Sequence, residues 1–350
     1  MIGERPGLVA TIVLAALLGA TRSGWAEEPV AVARVIARNH SAMGTLVTLT
    51  AWTTDEPAAI AAFGEAFAEI DRIESVMTTW RADSEVSRIN AAAGGKPVAV
   101  STEVIEVLEK AAWASRLSGG AFDVTIGAFA GVWKFDEDRD GTIPDPALVA
   151  ARKKLLGWRD VEVEPHAKTV RLRRPGQRIG LGGIAKGYAV DKAAAVLHRR
   201  GVESFVIKAG GDLFVSGRRG DRPWRVGIRD PRGPEDSYFA FAEVEDRTFS
   251  TSGDYERYVI KDGKRYHHIL DPATGYPAWR TRSVTVLAKD ALTADSLSKG
   301  LFILGPERGM ELVEKLPDIE AIFVGPDNRV SVSSGLVGKL TIVQPPTDGL

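Results

Sequence analysis

The segment Ile179-Gly-Leu-Gly-Gly-Ile-Ala-Lys-Gly-Tyr-Ala-Val-Asp191 constrains the fold more than any other stretch of this 350-residue chain. Gly180, Gly182, Gly183 and Gly187 fall within eight residues, and an alanine-rich helical pattern follows at once. Backbone without side chains that opens into a helix is suited to hold an anion, because free N–H groups and the positive end of the helix dipole point the same way. Gly180, Gly182 and Ala185 also fit the G-x-G-x-x-A spacing of a dinucleotide-binding turn, with Glu203 about twenty residues on. The residues before them argue against that turn. Val170 to Ile179 is charged and broken by Pro175-Gly176, where a dinucleotide fold needs a buried apolar strand. A Walker A loop is excluded, since Lys186 is followed by Gly187 rather than Ser or Thr.

Charge and cysteine content narrow the function classes. Basic and acidic residues nearly cancel, to a net charge of −1, which leaves no bulk electrostatic case for nucleic acid. The chain has no cysteine. That removes thiolate metal sites, Cys nucleophiles and an N-terminal lipid anchor on cysteine. At the N-terminus, Arg5 precedes the apolar run Leu8 to Ala20, whose 13 residues are short for a bilayer span. Gly24-Trp25-Ala26 then places small residues at a cleavage site. Residues 1–26 read as a secretory signal peptide, which predicts an exported, periplasmic protein with 27–350 as one domain. No later stretch is apolar for long enough to insert stably in a membrane.

Periodicity predicts helices over Pro57–Met77, Thr102–Leu117, Ile184–His198, Leu292–Ile303 and Pro306–Lys315. In the first of these Ile60, Phe63, Phe67, Ile70, Ile73 and Met77 mark the apolar face. Strands are predicted at Gly44–Trp52, Phe205–Lys208, Leu213–Ser216, Trp224–Ile228, Tyr238–Val244, Tyr266–Leu270, Ser283–Leu287, Ala321–Val324, Val330–Ser333 and Leu340–Val343. Ser118–Pro146 is loop-rich, with an acidic turn at Asp136–Gly141, and Ser250–Tyr255 is rich in hydroxyls and carries a turn glycine. The class is α+β, with mixed sheets and packed helices rather than a doubly wound sheet.

Several segments occur in one order: Met43-Gly-Thr45, Ser84-Glu-Val-Ser-Arg-Ile-Asn90, Phe122-Asp123-x-Thr125-x-Gly127, the glycine segment, Ala209-Gly-Gly-Asp212, Ser250-Thr-Ser-Gly-Asp-Tyr255, His267-His268-Ile-Leu-Asp-Pro-Ala-Thr-Gly275 and Thr293-Ala-Asp295. Together they resemble the FAD:protein FMN transferase (ApbE) family, from about Met43 to Gly305. The resemblance implies that FAD is the substrate and that its FMN half passes to a Thr or Ser hydroxyl of an acceptor flavoprotein. It also implies that AMP leaves, that a divalent ion (usually Mg²⁺) assists, and that the flavin site lies in a cleft between lobes. The expected acceptor is a subunit of a membrane redox complex. Two alternatives share the same phosphate clamp: an FAD pyrophosphatase using water, and a flavin-binding protein without turnover.

By resemblance His268 is the general base, an assignment that suits an imidazole titrating near neutral pH. His267 points to the other face if both lie on a strand. Met43, Trp80, Ala121, Phe122, Asp123, Gly180, Lys186 and Ile269 match FAD-binding positions. Trp80 is read either as a ring for stacking or as a core aromatic closing a helix. The carbonyl of Gly183 and the carboxylate of Asp295 match metal ligands. Asp295 has a second reading, as an acidic residue complementing a helix dipole. The chain departs from the family at two places. Gly180 stands where a carboxylate is usual. Lys299 stands where the family usually has a Thr metal ligand, i+4 from Asp295 in the order that favours an ion pair.

Overall fold

The computed structural model describes residues 32–135 and 138–349. The predicted signal peptide and part of the acidic turn at Asp136–Gly141 lie outside the described residues. None of the described helices is long and apolar enough to cross a membrane.

Eight strands form one sheet in the spatial order Arg34–Ala42, Thr45–Thr53, Phe205–Ala209, Asp212–Ser216, Arg247–Gly253, Ser283–Ala288, Glu320–Val324 and Val330–Val332. Every pairing in it is antiparallel. A dinucleotide fold needs parallel strands joined by crossover helices, so the G-x-G-x-x-A spacing is fortuitous here. A second sheet of Leu340–Ile342, Tyr238–Val244 and Trp224–Arg229 shares an apolar cluster with the main sheet through Val215, Phe239 and Phe249. The helices are α1 (Glu56–Met77), α2 (Glu85–Ala91), α3 (Thr102–Leu117), α4 (Pro146–Lys153), α5 (Ala185–Arg199), α6 (Ala291–Leu304) and α7 (Pro306–Val313). The architecture is α+β, as the sequence predicts.

Helix α1 starts where Asp55 accepts the N–H of Ala58 at 2.9 Å. It buries Phe63, Ile70, Ile73 and Met77, while Ile60 sits at the exposed rim of that face. Helix α6 is different: every residue except Lys299 and Ile303 is buried. Such a helix must meet neighbours on all sides, and its small residues allow this. Gly300 takes Ser118 and Phe122 at close range. Gly187 of α5 lets the backbone of α6 approach, since a Cβ there would lie 2.3 Å from the carbonyl oxygen of Ala291. The start of α6 is held by Asp290, which accepts from Thr293 N–H at 2.7 Å, and by Asp191 of α5, which accepts from Ala291 and Leu292 N–H at 2.7 and 2.9 Å. These two residues complement the helix start, so Asp295 is not its dipole partner.

Two readings are corrected. Tyr266–Leu270 is not one strand: it splits into Lys264–His267 and Leu270–Asp271, with His268 and Ile269 at the break. Ser250–Gly253 is not a turn but the end of a central strand, because Ser250 and Ser252 face polar partners on α6 rather than water. The strands at Val161–Glu164 and Thr169–Leu172 alternate apolar and polar residues but span only four residues each, and the edge strand Arg34–Ala42 lacks clean alternation, so none of the three stands out in the sequence.

Replacing Gly187 by Ala should destabilise the fold by about 3 kcal/mol or more, because backbone rather than a flexible side chain meets the new Cβ. Gly64→Ala is the control: nothing lies within 4 Å of a Cβ at that exposed site in α1, so it should be neutral or stabilising by up to about 1 kcal/mol. Urea unfolding of both variants checks the pair, and equal effects would refute the close-approach argument.

Candidate active site

The glycine segment, α6 and two central strands meet at a buried cluster of four charges. Lys186, in the first turn of α5, pairs with Asp212 at 2.7 Å. Lys299 pairs with Asp295 one turn earlier on α6. The second oxygen of Asp212 accepts from Ser250 Oγ at 2.5 Å, and the second oxygen of Asp295 accepts from Gly187 N–H at 2.9 Å. Ser298 Oγ accepts from Ser252 Oγ at 2.9 Å and donates to the Asp295 carbonyl at 3.0 Å, which ties α6 to the Arg247–Gly253 strand. Burial alone would weaken the Lys186 ammonium, yet Asp212 and Asp295 outweigh it and hold it above the ordinary lysine range. Burial likewise opposes ionisation of Asp212, but Lys186 and Lys299 keep that carboxyl below its usual range. Asp295 is pushed up by burial and by the negative charge of Asp212.

The four glycines separate by role. Gly187 is required by packing. A Cβ at Gly180 would make only ordinary contact with Gly127, at 3.5 Å. A Cβ at Gly182 would meet nothing within 4 Å, and one at Gly183 would meet Phe122 at 3.5 Å and the Lys299 stem at 3.8 Å. Neither packing nor a positive φ demands glycine at 182 or 183. Their missing side chains keep the backbone beside Lys299 open to a ligand, and Phe122 buttresses that loop from the protein side.

The histidine pair divides sharply. His267 is fully buried, with Nε2 2.8 Å from the Ala278 carbonyl and Nδ1 accepting from Ile269 N–H at 3.3 Å. Both nitrogens are spent, which fixes a neutral ring with the proton on Nε2. Next to it His268 is half-buried, and its Nδ1 is sealed from water without a hydrogen-bond partner. A near-neutral titration for His268 is not what the fold imposes. Burial first, then the neighbouring His267, Arg257 and Lys299, push it down to about 3. At neutral pH the ring is unprotonated, as a base must be, and its basicity is restrained first by burial and then by nearby positive charge.

The remaining predicted residues fall into two groups. Trp80 is 77% exposed after the end of α1, which excludes the core reading and leaves its ring face free. Met43 adopts a positive φ of 53° in the turn between the first two strands, with its N–H bound to Glu74 at 2.8 Å. Asp123 is committed to the fold: one oxygen accepts from Thr125 N–H and Oγ1 at 2.7 and 2.6 Å, the other from Trp158 N–H at 3.1 Å. It shapes the Ala121–Phe122 loop as the cap of a short 3₁₀ turn. Ile269 is buried in the apolar cluster beneath α6. Asp212, Ser250, Ser252 and Ser298 were not singled out from sequence. The only signal was that Asp212 and Ser250–Ser252 stand inside ordered motifs.

The magnesium site implied by the resemblance would have to draw on these same donors. All four oxygens of Asp212 and Asp295 already accept from an ammonium, a hydroxyl or an amide. Among the described residues no group of three or more His, Cys, Asp or Glu side chains is placed to hold a metal. The arrangement as it stands does not fit a divalent ion.

His267 makes stability pH-dependent. Burial lowers it to about 4 from a reference of 6.5, so the unfolded chain binds more protons below that reference. Its contribution is full above about pH 6.5 and is lost as pH falls toward 4, by about 2 kcal/mol at pH 5. Asp191, pushed up to about 7 by burial, has the opposite slope, so the informative quantity is a difference. His267→Gln should flatten the loss of stability between pH 7 and 5 relative to wild type in chemical unfolding. Parallel curves would refute the assignment.

Comparison with known proteins places this geometry. A sequence model of the ApbE family matches residues 43–323. The FAD:protein FMN transferase of Treponema pallidum is 34% identical over 89% of this chain and 90% of its own length, and that of Klebsiella pneumoniae 35% identical over 86% and 92%. Among solved structures, the flavin transferase ApbE from Vibrio cholerae superimposes with a TM-score of 0.78 at 31% identity, covering 88% of this chain and 99% of that one. The ApbE protein of Thermotoga maritima gives 0.79 at 31% identity, covering 87% and 99%. With the motif order, the fold and the matched span in agreement, this chain belongs to the ApbE family.

Proposed function

We infer that this chain is an FAD:protein FMN transferase. The observation that carries the reading is the meeting of an open glycine backbone, two ammonium groups and one histidine nitrogen without a partner. Relatives that bear this name over most of their length support it.

The chemistry follows from those parts. An acceptor hydroxyl, of Thr or Ser, attacks the phosphorus on the FMN side of the FAD pyrophosphate. An O–P bond forms to the acceptor, the P–O bond to the AMP phosphate breaks, and AMP leaves with that electron pair. The hydroxyl proton passes to the imidazole of His268. Backbone at Gly182–Gly183 and the ammonium groups of Lys186 and Lys299 face the charge that accumulates on the phosphate oxygens. That incoming negative charge offsets the cations that depress His268, so the base strengthens when substrate is present. Trp80 offers an exposed ring face for stacking on the isoalloxazine or adenine. Magnesium, implied by the resemblance, lacks a complete donor set among the described residues. The acceptor is proposed to be a subunit of a membrane redox complex. The apolar run Leu8–Ala20 with its small-residue cleavage site supports export to the periplasm, with a mature N-terminus at Glu27.

Incubation of the protein with FAD and a Thr-containing acceptor should add the mass of one FMN to the acceptor and release AMP. His268→Ala should lower that rate by roughly 10²–10⁴-fold while leaving FAD affinity intact. Trp80→Ala should instead weaken FAD binding by about 1 kcal/mol, read by flavin fluorescence. Free FMN with an unmodified acceptor would replace the transferase reading with hydrolysis.

A further inference from the structure

The four-charge cluster has a layered arrangement. The carboxylates lie at the bottom, with Asp295 and Asp212 side chains 0% and 1% exposed. The ammonium groups lie above them, with Lys299 and Lys186 side chains 18% and 21% exposed. What this site shows to an incoming group is therefore positive, and its anionic ligands are out of reach. Two carboxylates and two ammonium groups also balance without any added ion. A divalent cation entering here would have to displace Lys299 from Asp295 and leave an uncompensated charge in a desolvated place, which is costly. An incoming phosphate meets the opposite situation. Lys299 has three N–H donors and spends one on Asp295, so two remain for phosphate oxygens. Its stem runs against Gly183, which puts the ammonium at the open end of the glycine backbone.

We propose that the Lys299 ammonium is the resident cation of this active site, taking the place of a divalent metal, so that the chain binds and cleaves the pyrophosphate without one. Asp295 is then a positioning residue. It receives Gly187 N–H on one oxygen and orients Lys299 with the other, so the cation is fixed by α5 and α6 together. Lys186, in the first turn of α5 and seated on Asp212, is the second fixed cation of the cluster.

The substrate named here rests on the FMN-transfer reading, whereas cation occupancy does not, and the experiment separates the two. Mn²⁺ binding to the full chain without FAD is measured by electron paramagnetic resonance. Wild type should retain no bound Mn²⁺, and Lys299→Thr, which removes the ammonium and supplies an oxygen, should bind one ion per chain. FAD turnover by wild type should survive EDTA, whereas turnover by Lys299→Thr should become dependent on added Mg²⁺ by on the order of tenfold or more. Stoichiometric Mn²⁺ on wild type together with loss of its turnover on chelation overturns the proposal. Should Lys299→Thr fail to fold, wild-type Mn²⁺ binding and chelation still decide it. Absence of any FAD cleavage, with or without metal, would sink the transferase reading and leave the Mn²⁺ result to judge the ammonium by itself.

Discussion

Two carboxylates sealed from water set the terms for the centre of this molecule. Asp212 and Asp295 cannot stay ionised in isolation there, because desolvation of an unpaired charge costs several kcal/mol. Each therefore fixes a lysine, a serine or an amide around it, and those partners come from four separated stretches of chain: Lys186 and Gly187, Asp212, Ser250, and Asp295 with Lys299. The result is polar glue between α5, α6 and the sheet. It forces α6 into a position where almost every residue is buried, and it explains why that helix is built from Ala, Ser and Gly on its polar side. Removing any one of the four charges leaves another unpaired, so the cluster behaves as a unit.

The crossing of α5 and α6 links that electrostatics to the ligand-facing loop. Gly187 allows contact between the two helices and its N–H reaches Asp295, while Asp191 one turn later holds the first amides of α6. The glycine segment is thus anchored at its helical end and at Gly180, whose N–H donates to the Val124 carbonyl at 2.8 Å. Between those anchors, Gly182 and Gly183 are fixed in place and free of side chains. Pre-positioned amides of this kind cost little to reorganise when negative charge arrives.

How much of this was legible in sequence depended on range. Long amphipathic helices announced themselves, and the run Thr102–Leu117 is recovered residue for residue as α3. The pairing of Asp295 with Lys299 was readable because i,i+4 spacing on a helix is a local rule. The pairing of Lys186 with Asp212 was not, since it joins a helix start to a strand start 26 residues away through tertiary packing. Ser250 and Ser252 looked like a turn because hydroxyl-rich stretches favour turns, and only the polar face of α6 makes a strand of them tolerable in the core. The break at His268 was hidden for a related reason. A run of Tyr, His, Ile and Leu reads as a strand, but the side-chain nitrogen of His267 takes the Ile269 amide and ends the ladder locally.

The depressed basicity of His268 follows first from burial and then from neighbouring charge, including that of the Lys299 ammonium that makes the site attractive to a phosphate. A base near pKa 3 is a poor proton acceptor, and an enzyme relying on it in that state would be slow. The depression is not intrinsic to the ring. The largest part comes from burial, and a further part from the positive charges of Arg257 and Lys299, whose influence falls when an anion sits among them. A phosphate placed against Lys299 therefore does two things at once: it satisfies the spare ammonium donors, and it offsets the part of the depression that comes from positive charge while the part from burial stays. Substrate charge therefore sets only the electrostatic share of the base strength, and burial of the ring sets the larger one.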